Sequence, residues 1–367
     1  MYIYLARTYG ANPYILDGMI GLNYTKVVND VGTAMITVPG DHPAVTGLAL
    51  DDELEIWRQD LHPAANTPVS IDFRGLYRGF TRRTMANGLE LVDLFFFHET
   101  EILRRMVNAY PSGQFAVTVW NGVPVETAMA AIVYNNSSGR TTDLTAGATR
   151  VTAATSKVLG VDADLAGINV ADYANPYRNV LTALQELASV ANAIFMVWKP
   201  TAATTTWGVY VKKETLFSDR RNTVIFQLER GNLREPALDQ RTMGETTVAM
   251  VGGAGDGAGR TVRTRTSAGR DANRNNYEGF VDARHLTTTA ALDAYGDGVL
   301  NERTARPMLT FTPVQTPDCN YGEHYFWGEV VTVRYGGQSY VHRIVQVSVQ
   351  YSAAGEQIQL GFEELPA

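Results

Sequence analysis

The stretch Arg74–Phe97 reads RGLYRGFTRRTMANGLELVDLFFF, and its centre decides what kind of fold the chain can adopt. Asn87-Gly88 is the strongest short-range hairpin signal, because both central positions of a tight primed turn must accept positive φ. A two-residue loop there pairs Ala86 with Leu89 and sets Arg82 opposite Asp93, Phe80 opposite Phe95 and Thr84 opposite Leu91. An arginine facing an aspartate and a phenylalanine facing a phenylalanine are favourable cross-strand pairs, worth ~0.2–1 kcal/mol each. The other face carries Tyr77, Thr81, Val92, Leu94 and Phe96. Both faces are partly apolar, so both are expected to lie under protein. The ribbon reads as the closing hairpin of an N-terminal β-barrel, with Arg78 and Arg83 as candidates for contacts between subunits.

Outward from the hairpin, strand patterns dominate the first hundred residues. Tyr2–Thr8, Leu22–Val28, Thr33–Val38 and Glu53–Gln59 are β-rich, and Pro39-Gly40-Asp41-His42-Pro43 breaks the run. From Glu99 the pattern is mixed: Val125–Tyr134 has helical spacing, Asn135 to Gly139 is a polar loop, and Thr141–Leu165 reads as surface loops or weak strands. The best helix opens at Asn175-Pro176, where asparagine caps and proline suits the first turn; Val180, Leu181, Leu184, Leu187, Ala188 and Ala191 form its apolar stripe. Ile194–Trp198 and Trp207–Lys213 then read as a hairpin beneath it. Thr246–Val251 is another strand, and a helix over Thr289–Arg303 is weakened by Gly296 and Gly298. Gly328–Tyr335, a Gly336-Gly337 turn, Val341–Tyr351 and Glu356–Phe362 make a C-terminal meander.

These elements define a mainly β, multidomain fold with α+β subdomains. The expected division is an N-terminal β-barrel-like domain over 1–105, an inserted α+β or loop-rich domain over 106–170, a helix-plus-hairpin α+β domain over 171–234, and a C-terminal β-barrel-like domain over 235–367 with an extended arm at 252–280.

Composition narrows the functional classes. A chain of 367 residues is too long for one compact core. Its 45% hydrophobic and 19% charged content excludes global disorder. A net charge of −7 argues against the phosphate backbone as main partner, since counterion release favours basic domains. Only Lys26, Lys157, Lys199, Lys212 and Lys213 are lysines, so arginine supplies most of the positive charge. Its planar fork suits interfaces, although a GC-rich coding sequence gives the same bias. The single Cys319 permits no intramolecular disulfide and no thiolate metal cage, and reads as a structural thiol. No run approaches the ~18–20 apolar residues of a membrane helix. MYIYLARTYG lacks the pattern of a secretory signal, so synthesis in a cytoplasm without stable membrane insertion is expected.

Candidate chemistry is sparse. GGAGDGAGR (Gly252–Arg260) follows a strand and meets the loose dinucleotide pattern at Gly253, Gly255 and Ala258. That pattern cradles phosphate only when a helix N-terminus comes next, and Thr261–Thr266 reads as a strand. A flexible hairpin tip and no bound cofactor are expected. Arg260, Arg263, Arg265, Arg270 and Arg274 face a single acid, Asp271, in this region. They read as a solvated or interface-facing β-arm, with passing DNA or an acidic neighbouring subunit as the alternative contact. The six histidines show no metal-ligand spacing, and Gly-x-Ser-x-Gly is absent. Asp51-Asp52, Glu99/Glu101 and Glu363-Glu364 read as scattered surface acids. Arg78-Gly79-Phe80 shares only its opening with RNA-recognition strands, since Thr81, Arg82 and Arg83 follow.

The order of segments carries a resemblance. An EIWR strand and FRGLYRG are followed by VAMVGGAGDGAGR, then YEGFVDARHL (Tyr277–Leu286), then GEVVTVRY and RIVQVSVQYSAAGEQIQLGF. Together they resemble the tail-hub (baseplate-hub) proteins of long-tailed bacteriophages, in the siphophage Gp37-like group. The likeness covers most of the chain and is weakest between about 110 and 170. It implies a structural, non-enzymatic protein of four small domains, two of them barrel-like, assembled as a threefold ring. Two similar barrels per subunit would match a threefold tip to a sixfold tube, and the ring would let DNA exit. The implied partners are two further copies, a distal tail protein, a tape-measure protein, tail fibre or central tip proteins, and passing genomic DNA without sequence-specific binding. The implied location is the tail tip of the virion, after synthesis and assembly in the host cytoplasm. The net acidity is expected to discourage sticking to sliding DNA. Some hubs carry a fused peptidase or wall-degrading domain; the sequence ends at Ala367 after its last strand, so that activity is expected to be absent. The alternatives are a distal tail protein, a receptor-binding baseplate protein using loops around 135–160, or a wall hydrolase using a pair such as Glu99 and Asp51.

Overall fold

A computed structural model of the chain describes residues 4–9, 14–58, 71–108, 119–120, 122–137, 158–164, 173–174, 178–191, 193–199, 206–213, 218–239, 244–271, 276–284, 286–304 and 308–365. The N-terminal part supplies β1 (Tyr4–Tyr9), β2 (Gly21–Val27), β3 (Thr33–Pro39), β4 (Glu53–Arg58), β5 (Ile71–Thr84) and β6 (Glu90–His98), with short helices α1 (Ala44–Gly47) and α2 (Glu101–Arg104). The middle holds β7 (Val119–Trp120), α3 (Val125–Asn136), β8 (Val158–Asp164), β9 (Tyr173–Ala174), α4 (Val180–Ala191), β10 (Ala193–Trp198) and β11 (Thr206–Lys213). The last third adds β12 (Ile225–Gln227), β13 (Leu233–Asp239), β14 (Val248–Gly252), β15 (Val262–Thr266), β16 (Glu278–Asp282), α5 (Thr289–Glu302), β17 (Met308–Pro313), β18 (Val330–Tyr335), β19 (Gln338–Ser352) and β20 (Gly355–Glu364). The protein is mainly β, as its alternation patterns require.

One ten-stranded sheet dominates, in the order β1-β4-β5-β6-β3-β2-β19-β18-β12, with β20 on β19. The two β-rich ends of the chain therefore meet in a single sheet, through the antiparallel pairing of β2 with β19. Among the described residues no pairing joins the first strand to the last, so no closed barrel forms. The sheet is nonetheless sharply curled. β2 and β5 are separated by β6 and β3, which places them ~14 Å apart if flat. Yet the Tyr24 hydroxyl on β2 donates to Asp72 on β5, and Lys26 Nζ lies 2.6 Å from Asp72 Oδ1.

Asp72 is the centre of a buried polar node. Its Oδ1 also accepts from the Tyr321 hydroxyl at 2.8 Å, bringing in the C-terminal third. Arg58 donates to the Tyr321 carbonyl at 2.5 Å and grips Glu356 with two bonds of 2.9 and 3.0 Å. Burial alone would raise the Asp72 pKa, but Lys26, Tyr24 and Arg58 hold its carboxyl below the usual carboxylate value. The node sits in a core shared by both ends of the chain, with Leu22, Ile36, Phe73 and Leu94 from one and Phe226, Val331, Ile344 and Val349 from the other.

The opening hairpin forms, but its register differs from the expected one. Met85 N–H donates to the Leu89 carbonyl and Gly88 N–H to the Met85 carbonyl, giving a three-residue loop of Ala86, Asn87 and Gly88. Gly88 takes the left-handed position at φ 83, which is how three-residue hairpin loops close. Thr81 then faces Asp93, Arg83 faces Leu91 and Phe80 faces Leu94. A slip of one residue changes which side chains share a face. Arg82 therefore loses the partner assigned to it, and Arg83 gains it.

The middle of the chain builds a second core. β10 and β11 pair antiparallel as expected, and β8, from the stretch read as loops or weak strands, adds in parallel. Leu184, Leu187 and Ala188 of α4 pack with Met129 and Val133 of α3 and Phe195 and Val211 of the sheet. The expected cap at Asn175-Pro176 lies outside the described residues. Asn179 caps α4 instead, its Oδ1 accepting from Leu181 N–H at 2.9 Å. The C-terminal meander follows the expected plan, with Gly336 and Gly337 at positive φ in the β18–β19 turn.

Candidate assembly surfaces

Two arginine-bearing ribbons carry the residues singled out in the sequence. The first is the far half of the β5–β6 hairpin. β5 is 14 residues long, but β4 accompanies it only to Leu76, and residues 51–52 extend the contact to Tyr77. From Arg78 to Thr84 the strand has β6 on one side and no described strand on the other. Phe80 is 48% exposed and every residue from Thr81 to Glu90 is exposed, so the described residues do not supply the expected cover over both faces. The edges differ as well: β3 pairs with Leu91–Phe97 of β6, while β4 ends too early to pair with the far half of β5.

The arginines here have local partners. Arg82 lies 2.9 Å from Glu90. Arg83 makes two bonds to Asp93, of 2.9 and 3.2 Å, and Thr37 Oγ1 donates to the same carboxylate at 2.6 Å. Burial works to raise the Asp93 pKa, but Arg83 and Thr37 hold it low. Arg78 shares Asp51 with Arg105, at 3.2 and 2.8 Å. Asp51, half of the pair considered for wall hydrolysis, is thus held between two guanidiniums, while Glu99 is buried.

The second ribbon is β14–β15. The stretch expected as an extended arm, 252–280, runs through a three-stranded sheet in the order β15-β14-β16, with α5 packed on one face. The Gly252–Arg260 loop leads into a strand, as its composition suggested, and Arg260 ties it down by donating to the Gly252 and Gly253 carbonyls and to Asp282. Strand alternation places Arg263 and Arg265 on the helix side and Val262, Thr264 and Thr266 on the other. Arg263 makes a two-bond pair with Asp293 at 2.8 and 2.7 Å, and Arg265 with Asp297 at 2.7 and 2.9 Å.

The match is one of repeats. Two residues along a strand advance ~6.7 Å and four residues along a helix ~6 Å, so arginines at i, i+2 meet aspartates at i, i+4 almost in step. Gly296 sits between those aspartates, and a Cβ there would lie 2.6 Å from the Arg265 side chain and 3.0 Å from Val251. The glycine that weakened the helix reading is what lets the helix approach. Arg270 pairs with its neighbour Asp271 at 3.1 Å, and Arg274 lies outside the described residues.

The remaining candidates offer little chemistry. No cluster of histidine, cysteine and acidic residues suited to a metal occurs among the described residues. Cys319 is buried and its thiol is pushed up to about 11 by desolvation, which makes it a poor nucleophile. No described helix is long and apolar enough to cross a membrane. What sequence reasoning missed was the Asp72 node and the Asp293/Asp297 pairing. The second had a visible signal, two aspartates four apart on a helix, set against two arginines two apart on a strand.

Comparison with known proteins places this geometry. The profile of the family described as siphovirus ReqiPepy6 Gp37-like protein matches residues 14–362. No curated protein matches the sequence. Among solved structures, a tail protein from Neisseria meningitidis MC58 superposes with a TM-score of 0.62 at 13% identity, over 99% of this chain and 96% of that one. The 43 kDa tail protein of prophage MuSo2 from Shewanella oneidensis gives 0.64 at 11% identity, over 99% and 98%. An E. coli type VI secretion component, described as structurally similar to the T4 tail proteins gp27 and gp5, gives 0.50 at 10% identity, over 95% and 73%.

Proposed function

The chain belongs to the siphovirus ReqiPepy6 Gp37-like protein family and has the fold of phage tail proteins, and from that premise we propose that it is the structural hub of a phage tail tip. In this reading three copies form a ring that joins a sixfold tube or distal tail ring to the central tip and lets DNA leave. The observation that carries it is the whole-length match: nearly all of this chain corresponds to nearly all of two tail proteins. The fold shared with a secretion component described as similar to the T4 tail proteins gp27 and gp5 supports a place in the tail.

The physical character of the molecule agrees with a load-bearing part. Its two β-rich ends are joined in one sheet, and the buried Asp72 carboxylate is engaged by Tyr24, Lys26 and Tyr321 from both ends of the chain. Arg78, Arg83, Arg260, Arg263, Arg265 and Arg270 remain the proposed contact residues. Of these, Arg78 and Arg83 lie on the strand with an open edge, while Arg263 and Arg265 are committed to α5. The reading is tested by locating the protein in an intact virion by cryo-electron microscopy. A threefold ring at the tail tip is expected; a sixfold ring would make it a distal tail protein instead, and a position away from the tip would end the hub reading.

A further inference from the structure

The stretch that holds β14, β15, β16 and α5 enters and leaves the rest of the chain at one place. β13 and β17 pair as a two-stranded ribbon, with Asp239, the last residue of β13, opposite Met308, the first of β17. A second clamp lies just beyond, where Thr246 N–H donates to the Arg303 carbonyl at 3.1 Å. Residues 240–245 and 304–307 connect the two clamps. Entry and exit therefore leave from neighbouring points. The base of this connection is fixed: Leu233 and Leu309 belong to the main core, and Phe311 of β17 stacks on Phe362 of β20 with centroids 4.4 Å apart.

Beyond the clamps the stretch is held by its own contacts. Its three strands form a separate sheet. Val251, Leu286 and Leu292 are buried in one cluster and Ala249, Val299 and Leu300 in another, both apart from the cores of the large sheet and of α3–α4. Arg260, Arg263 and Arg265 pair with Asp282, Asp293 and Asp297 of the same stretch.

Its contact with α4 has a different character. Gln185 and Ser189 of α4 meet Gly298 and Glu302 of α5, and these four residues line two cavities, of about 320 Å³ and about 400 Å³. Two glycines of α5 measure the difference. A Cβ at Gly296 would strike Arg265 and Val251, whereas a Cβ at Gly298 would meet no atom within 4 Å. The helix is tight against its own sheet and loose against α4. Charge loosens the same seam. Glu302 of α5 shares the smaller cavity with Glu363 and Glu364 of β20, and among the described residues lining it Arg343 is the one cation. Arg343 is bonded to Glu363 at 3.2 Å, so like charges face each other across the gap.

We propose that the body built of β14, β15, β16 and α5 turns as a unit on the β13–β17 ribbon, with the α4–α5 seam as the latch that opens when it does. A body with its own core, joined at one point and resting on a small polar seam, moves relative to its neighbour by default. The turn is a hinge motion taken up at the end of a paired ribbon. It changes the outline of the protein without breaking a strand of the large sheet. It goes beyond the hub reading and holds for any number of copies in a ring.

The test is the distance between paired spin labels on the full chain, in a Cys319→Ser background, by pulsed electron resonance. Gln350 of β19, Thr264 of β15 and Ala290 of α5 are exposed and lie away from the seam. The Gln350→Cys/Ala290→Cys pair spans the hinge and should give two populations or one broad one. The Thr264→Cys/Ala290→Cys pair lies within the body and should give a single narrow distance. Adding Glu302→Lys to the spanning pair sets a cation opposite Glu363 and Glu364, and should shift the populations toward the closed arrangement. A spanning pair as narrow as the internal one overturns the hinge. Broadening of both pairs overturns the rigid body, and a spanning pair indifferent to Glu302→Lys overturns the seam as the latch. If the labelled variants fail to fold, small-angle X-ray scattering of the unlabelled chain gives the second reading: a profile that needs more than one arrangement supports the hinge, and one fitted by a single fixed arrangement overturns it.

Discussion

The β5–β6 hairpin and the β14–β15 ribbon start from the same kind of sequence, arginines clustered on a glycine-flanked strand, and they end in opposite situations. In the first, the arginines find scattered carboxylates and the strand keeps a bare edge. In the second, Arg263 and Arg265 are drawn under α5 and the face left outward is threonine and valine. The arginines themselves do not decide this. What decides it is whether another element presents carboxylates at a compatible repeat, and α5 does so with Asp293 and Asp297.

That contrast can be broken at several points. The largest effect is expected at the root of the first ribbon. Asp72→Ala leaves Lys26 buried without its partner and should cost about 3–5 kcal/mol, read by chemical denaturation. Next is Gly296→Val, which pushes a branched side chain against Arg265 and Val251 and should cost about 1–3 kcal/mol. Hydrogen exchange should then show lost protection over 248–266 with 71–98 unchanged; a global loss would mean that the two ribbons are not separate units. Asp297→Asn is a smaller intervention. Its pair with Arg265 is about half exposed, so screening limits the loss to less than ~1 kcal/mol.

Acid and base behaviour sharpens the same comparison, because the large sheet holds two buried groups that titrate in opposite senses. His98, at the end of β6, is lowered to about 3 by burial and by Lys26. Between 3 and 6.5 the unfolded chain binds the proton and the folded one does not, so this contribution falls as pH drops. Glu329 is raised to about 7 by burial, with Arg220 opposing. Between 4.5 and 7 the folded chain keeps a proton that the unfolded one releases, so this contribution falls as pH rises. Melting midpoints of Glu329→Gln should therefore gain on wild type as pH rises through that window. A difference that stays constant across it would show that Glu329 does not titrate there.

Much of the fold was legible because alternation and turn chemistry are local. The β18–β19–β20 meander, the β10–β11 hairpin and the stripe on α4 all follow from side-chain period and, in the meander, from Gly336-Gly337 at the turn, whereas the cap of α4 at Asn179 was not read. The hairpin register was not legible, because Asn87-Gly88 fits a two-residue loop and the last two positions of a three-residue loop equally well. The meeting of β2 with β19 was hidden for another reason. It joins residues more than three hundred positions apart, and no local pattern reports a partner at that separation. Among the candidate residues, position could be read but company could not: Arg83 rather than Arg82 holds Asp93, and Arg263 and Arg265 turn inward.

The Asp72 node also constrains the order in which the protein can mature. Its donors lie at Tyr24, Lys26 and Tyr321, and the adjoining Arg58 depends on Glu356. A nascent chain that has not yet released Tyr321 and Glu356 from the ribosome holds a carboxylate and a guanidinium short of their partners, at the heart of an unfinished sheet. Completion of the core thus waits on the C-terminal strands that carry those two residues. A chain broken off before Tyr321 and Glu356 would leave Asp72 and Arg58 without those partners, so the node works as a built-in check that the last strands are in place.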